Sequence, residues 1–158
     1  MKPGRLIGLL WSLSLAGAWA FTPPEERAAG VVASIRGVGE THTLGQPLRF
    51  TVVIANGATT PLAGTLRVWL NDDWRLAGPV AQTVGLAPGE TAEFAFTAEA
   101  RERVLAAHYP VHARVTGTTG ADAIDLHPIA LFTAVTLRRR EPVGEHGLPG
   151  GVYEALRT

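Results

Sequence analysis

His108 and His112 stand four residues apart in the stretch AHYPVHARV, residues 107–115. On a helix that spacing puts two imidazoles on one face and offers a metal ion two ligands. On a strand it does not, because residues four apart are separated by about 13 Å. The remaining histidines are His42, His127 and His146. Nucleophilic chemistry has less to draw on. There is no cysteine, and the serines are Ser12, Ser14 and Ser34, none in a nucleophile elbow. Asn71-Asp72-Asp73 and Asp122-x-x-Asp125 supply oxygen atoms but lack the alternating spacing and distal glutamate of a calcium loop. They read as acidic turn residues.

The elements that carry these residues are strands. In LRFTVVIAN (48–56) Leu48, Phe50, Val52 and Ile54 share one face, the period of two that marks a half-buried strand. GTLRVWLN (64–71) puts Leu66, Val68 and Leu70 on one side and Arg67 and Trp69 on the other. TAEFAFTAE (91–99) turns Phe94 and Phe96 inward. Further strands are expected at 31–36, 74–76, 80–86, 108–117 and 128–137, the last apolar on both sides and so covered on both. Ala87-Pro88-Gly89-Glu90 is a tight turn, with Pro88 fixing φ at the first corner and Gly89 free to take positive φ at the second. Residues 100–107 predict a single helical turn, and 118–125 a polar hairpin loop. About seven strands in roughly 110 residues predict an immunoglobulin-like β-sandwich.

Strand parity then decides where the histidines point. Tyr109, Val111, Ala113 and Val115 form the apolar side of 108–117, so His108 and His112 face outward with Arg114. The reading this favours is exposed strand histidines and no bound metal or cofactor. The metal alternative uses His108, His112 and His127, since His112 can meet His127 across adjacent strands. Trp69 and Trp74, flanked by Arg67 and Arg75, form the candidate binding surface, because an outward aromatic ring can stack on a sugar or dock a neighbouring domain. Tyr109, at the start of its strand, sits where a tyrosine corner ties down a loop through its hydroxyl.

The ends and the charge bound the setting. Lys2 and Arg5, the apolar run from Leu6 to Ala16, and Ala18-Trp19-Ala20 have the order of a secretory signal, residues 1–20, cleaved after Ala20. The run is too short to span a bilayer, which takes about 20 residues, so no membrane span is expected once the signal is removed. The expected organisation continues with a lead-in at 21–30, the sandwich at 31–137 and a Gly/Pro-rich tail at 138–158. Export places the chain in the periplasm or outside the cell, where a core without disulfides must hold the fold. Without the signal the chain carries 12 arginines against 14 acidic residues, a formal charge of −2. Such a balance gives nucleic acid no basic face to bind.

A strand ending in Asn56, Gly64-Thr65-Leu66, Trp74, Val84-Gly85-Leu86-Ala87-Pro88-Gly89-Glu90-Thr91, the Phe94/Phe96 strand and Tyr109-Pro110-Val111 follow one another. This series resembles the bacterial Ig-like domains associated with α-galactosidases and the cell-adhesion-related bacterial domains. The resemblance implies a non-catalytic accessory domain, with Trp74 in the core and no catalytic residues to assign. The expected work is protein contact, spacing or docking in the cell envelope or a secreted assembly. The alternatives are a carbohydrate-binding accessory module and a small periplasmic metal-binding protein.

Overall fold

Alternating side chains leave opposite faces of an extended chain, and in most of these runs only one face is apolar enough to bury. A computed structural model describes residues 24–136, and within them this patterning yields eleven strands. They are β1 (Glu25–Ala28), β2 (Val31–Arg36), β3 (Thr41–Thr43), β4 (Leu48–Asn56), β5 (Leu62–Leu70), β6 (Trp74–Leu76), β7 (Ala81–Leu86), β8 (Thr91–Ala100), β9 (His108–Thr119), β10 (Asp122–Leu126) and β11 (Ile129–Val135). One sheet runs β1-β2-β4-β8-β6 and the other β3-β11-β9-β5-β7, with β10 also paired to β9. The β3–β11 pairing is parallel, and the rest are antiparallel. The fold is an Ig-like β-sandwich, and among the described residues no helix is long and apolar enough to cross a membrane.

The core lies between the sheets. Val52 and Ile54 of β4 meet a layer that includes Leu66, Val68, Val111 and Val115 from β5 and β9, all fully buried. One end is aromatic: Trp74 packs edge-on against Phe132 at 5.3 Å and Tyr109 at 5.7 Å between ring centroids. Phe50 and Phe96, directly paired across β4 and β8, stack at 5.5 Å.

Two local features hold the sheets in register. Asn56 is 1% exposed, and its side-chain amide donates to the carbonyls of Thr60, Leu86 and Ala87 at 3.0, 3.1 and 3.2 Å. Its side-chain oxygen accepts from the Ala58 N–H at 3.1 Å. The Asn-then-Ala-Pro-Gly-Glu signature is thus a staple joining the end of β4 to the β7–β8 turn. There Gly89 takes φ +79° and Glu90 accepts from the Ala87 N–H at 2.8 Å. On the other sheet, Gly64 and Gly117 are direct partners across β5 and β9. A Cβ on Gly64 would collide with the Thr116 carbonyl oxygen, and one on Gly117 with that of Ala63.

Four expectations change. Glu25–Ala28, within the expected lead-in, is an edge strand pairing with Val31–Ser34. Residues 101–107 make turns and no helix, because Asp73 and Tyr109 capture the backbone there: Arg101 N–H donates to Asp73 O, and Leu105 bonds to the Tyr109 hydroxyl. The polar segment 118–125 is mostly strand, since β9 and β10 join through Gly120-Ala121 alone, with Gly120 at φ +60°. β11 is buried on one side only: Leu131 is 43% exposed because no described element covers the outer face there. The additional strands β1, β3 and β10 are three to five residues long, too short to show a period in sequence. The Gly/Pro-rich tail and the signal segment lie outside the described residues.

A solvent-facing aromatic and imidazole cluster as the candidate functional site

β5, β9 and the β10–β11 junction lie side by side, and their outward residues converge on one patch. Register places Trp69 directly opposite His112 across β5 and β9, and Arg67 opposite Arg114. β10 and β11 share the far edge of β9, one pairing with Val115–Thr119 and the other with His108–His112. Pro128 sits where one hands over to the other. It has no N–H for the ladder, but its carbonyl accepts from Ala113 N–H at 3.1 Å. That interruption brings His127, the preceding residue, onto the outer face beside His112.

The resulting geometry is a stack. Trp69 lies parallel to His112, with ring centroids 4.8 Å apart and a 3° angle, and 5.1 Å from His127 at 29°. The two imidazoles are 5.2 Å apart, far less than two rings on opposite indole faces would be, so both lie under the same face of Trp69. His112 Nδ1 and His127 Nε2 share a hydrogen bond at 3.1 Å, one donating and the other accepting, which requires a neutral acceptor ring. Partial burial, and then the neighbouring charge of His127, hold His112 below the ordinary histidine range. The Arg67 guanidinium stands 6.0 Å from the Trp69 ring centroid, at the outer limit of a cation–π contact.

Two carboxylates frame the cluster. Asp125 takes a two-pronged contact from Arg114, Nε to Oδ1 at 2.7 Å and Nη2 to Oδ2 at 2.6 Å. Hydrogen bonding to that guanidinium holds the Asp125 carboxyl below its usual range. Glu26, reaching across from β1, accepts from the His127 backbone N–H at 2.6 Å and fixes the segment that carries the ring. The patch therefore combines a half-buried indole, two imidazoles and a surface ion pair on a flat sheet face. Such a surface can dock a partner through an aromatic anchor with a charged rim.

The other residues singled out from sequence lie elsewhere. His108 is on the same outward side but separate from His112, and its Nδ1 hydrogen-bonds Thr133 Oγ1 at 3.0 Å. His108, His112 and His127 are thus not gathered into one set, and among the described residues no group of three or more metal-ligating side chains forms. Trp74 is not a surface ring. It is 6% exposed in the aromatic end of the core, because β6 turns it inward against Phe132, and its Nε1 has no partner there. Tyr109 is buried, and its hydroxyl accepts from Leu105 N–H at 3.1 Å and donates to Leu105 O at 3.0 Å. It clamps the 101–107 turns onto β9, four residues back along the chain. Ser34 is buried in β2, Asp72 occupies a turn at φ +58°, and Asp122 opens β10. The Trp69–His112 stack had no signal in sequence, since it depends on the register between strands some forty residues apart. A second surface feature is an apolar groove lined by Ile35, Val38, Ile129, Leu131 and Phe132.

No family model matches the chain, and no curated protein does. Solved structures do. Native α2-macroglobulin from Escherichia coli matches with a TM-score of 0.60 and 19% identity, over 69% of this chain and 7% of that one. A fragment of the same protein, from domain MG7 to the C-terminus, gives 0.61 and 20% over 69% of this chain and 17% of that one. The Y1175G mutant of Salmonella α2-macroglobulin gives 0.59 and 18%, over 68% and 7% respectively. The chain thus spans a small fraction of the length of these macroglobulins. What the likeness shows is the fold: an Ig-like β-sandwich, which these bacterial macroglobulins also contain. It does not single out the type associated with α-galactosidases.

Proposed function

We propose that this chain is an exported, non-catalytic Ig-like domain that works by contact, spacing or docking against a protein partner in the cell envelope or a secreted assembly. The observation that carries the reading is the outward Trp69 cluster on β5 and β9. A tryptophan held rigid by two stacked imidazoles, with Arg67 and the Arg114–Asp125 pair at its rim, has the composition of an interface anchor. The domain-sized match within long macroglobulin chains supports a role beside other domains. The sequence signature running from Asn56 to Val111 supports the finer assignment to the α-galactosidase-associated or cell-adhesion-related type.

Site-specific photocrosslinking in the native envelope tests this. A photoreactive residue at Arg67, beside Trp69, should yield one discrete protein adduct, and the same residue at exposed Glu93 on the other sheet should not. Equal labelling from both faces, or none from either, would contradict a docking role for this face. The carbohydrate-binding alternative uses the same indole, and saturable binding to a glycan array, lost in Trp69→Ala, would replace the protein-contact reading.

A further inference from the structure

We propose that His112 and His127 form a two-imidazole site for a divalent transition-metal ion, copper(II), nickel(II) or zinc(II), beneath Trp69. Two ring nitrogens face each other at 3.1 Å, His112 Nδ1 and His127 Nε2. Ligands about 2.0–2.1 Å from a common ion and 3.1 Å from each other subtend an angle of about 100°, between the tetragonal and tetrahedral values. The proton now shared between the rings lies in the space the ion would take. To ligate, the donor ring carries its proton on its other nitrogen, and each ring turns within its own plane until its lone pair points about 40° off the N···N line, a turn that keeps both rings stacked beneath Trp69.

The rings are also held in place. Trp69 stacks over both, and Glu26 anchors the His127 backbone from another strand. Little ordering would be left for the ion to impose, which is how outer contacts raise the affinity of a small ligand set. Both histidines are half-buried, so one side of the pair opens to solvent. Among the described residues no third histidine or carboxylate completes the set, so water fills the remaining positions. Imidazole donors of this kind favour copper, nickel and zinc over calcium and magnesium, with copper bound most tightly.

The test is titration of the full chain with copper(II) chloride and, separately, zinc(II) chloride, followed by calorimetry and tryptophan emission. Saturable binding at one equivalent is expected, with copper quenching emission. Trp69→Phe should keep the stoichiometry and lose most of the quench, since Trp69 is the indole in contact with the pair. His112→Ala and His127→Ala should each weaken binding at least tenfold, whereas His108→Ala and His42→Ala should leave it unchanged. Histidine-ring NMR of the unaltered protein with zinc needs no variant, and shifts confined to His112 and His127 are expected. Absence of saturable binding, equal binding by the His112→Ala/His127→Ala double variant, or ring shifts confined to other histidines would overturn the proposal.

Discussion

Replacing Asn56 by alanine should be among the most damaging single changes in this domain, although Asn56 touches no candidate site. The side chain is 1% exposed and donates to the Thr60, Leu86 and Ala87 carbonyls while accepting from Ala58 N–H. Alanine removes those partners at once and leaves backbone groups in a region water reaches poorly. At about 1 kcal/mol net for each hydrogen bond, three to four such contacts amount to about 3–4 kcal/mol. That is a large part of the ~5–15 kcal/mol by which a domain is stable. With a urea dependence of about 2 kcal/mol per molar for a domain of this size, the unfolding midpoint should fall by about 1.5–2 M. Asn56→Asp sharpens the test, since it keeps the shape but presents an oxygen to carbonyls that need a donor. Its carboxyl in the folded state is pushed above the unfolded value of about 3.9, so the folded form binds the proton more tightly. The variant should therefore be least stable near neutral pH and recover as pH falls through that raised value. A midpoint within 0.3 M of the unaltered protein for Asn56→Ala, on the order of 0.6 kcal/mol by the same slope, would refute the staple.

Four further outcomes follow from the packing. Tyr109→Phe should cost about 1 kcal/mol in equilibrium unfolding, and hydrogen exchange at Leu105 should rise, because the hydroxyl holds that residue from both sides. Gly117→Ala should cost about 1–3 kcal/mol, since the new methyl meets the Ala63 carbonyl across the β5–β9 seam; a melting temperature unchanged within error would count against that close approach. The tryptophans should separate by role: Trp74→Ala should cost about 3–5 kcal/mol as a core truncation, whereas Trp69→Ala should cost well under half of that and act on binding instead. Leu131→Gln, on the exposed side of β11, should change stability by less than about 0.5 kcal/mol in the same urea assay.

How far the sequence led depends on the residue. Val31–Arg36 and Leu48–Asn56 were legible to the residue because alternation acts over a few neighbours, and Trp74–Leu76 because the breakers Asn71-Asp72-Asp73 and Gly78-Pro79 flank it. Tyr109, Val111, Ala113 and Val115 turned inward as parity required, which put His112 outside. Glu25–Ala28 was not legible, since a four-residue edge strand is fixed by its partner and carries no period of its own. Nor was the stack of Trp69 on His112 and His127. That contact arises from the β5–β9 register and the interruption at Pro128, both settled by long-range pairing. The possible meeting of His112 with His127 could be read from adjacent strands, but the indole above them could not. Trp69 and Trp74 looked alike in sequence, five residues apart with an arginine near each. Only the placement of β6 in the opposite sheet sends one into the core and leaves the other on the surface.

Hydroxyl-radical footprinting of Trp69 tests the central claim most directly, comparing the purified chain with the chain in its native envelope or secreted assembly. The docking account predicts that Trp69 is oxidised in the purified chain and protected several-fold in the assembly, while exposed Leu131 and the buried Trp74 change little. Equal oxidation of Trp69 in both settings would contradict it.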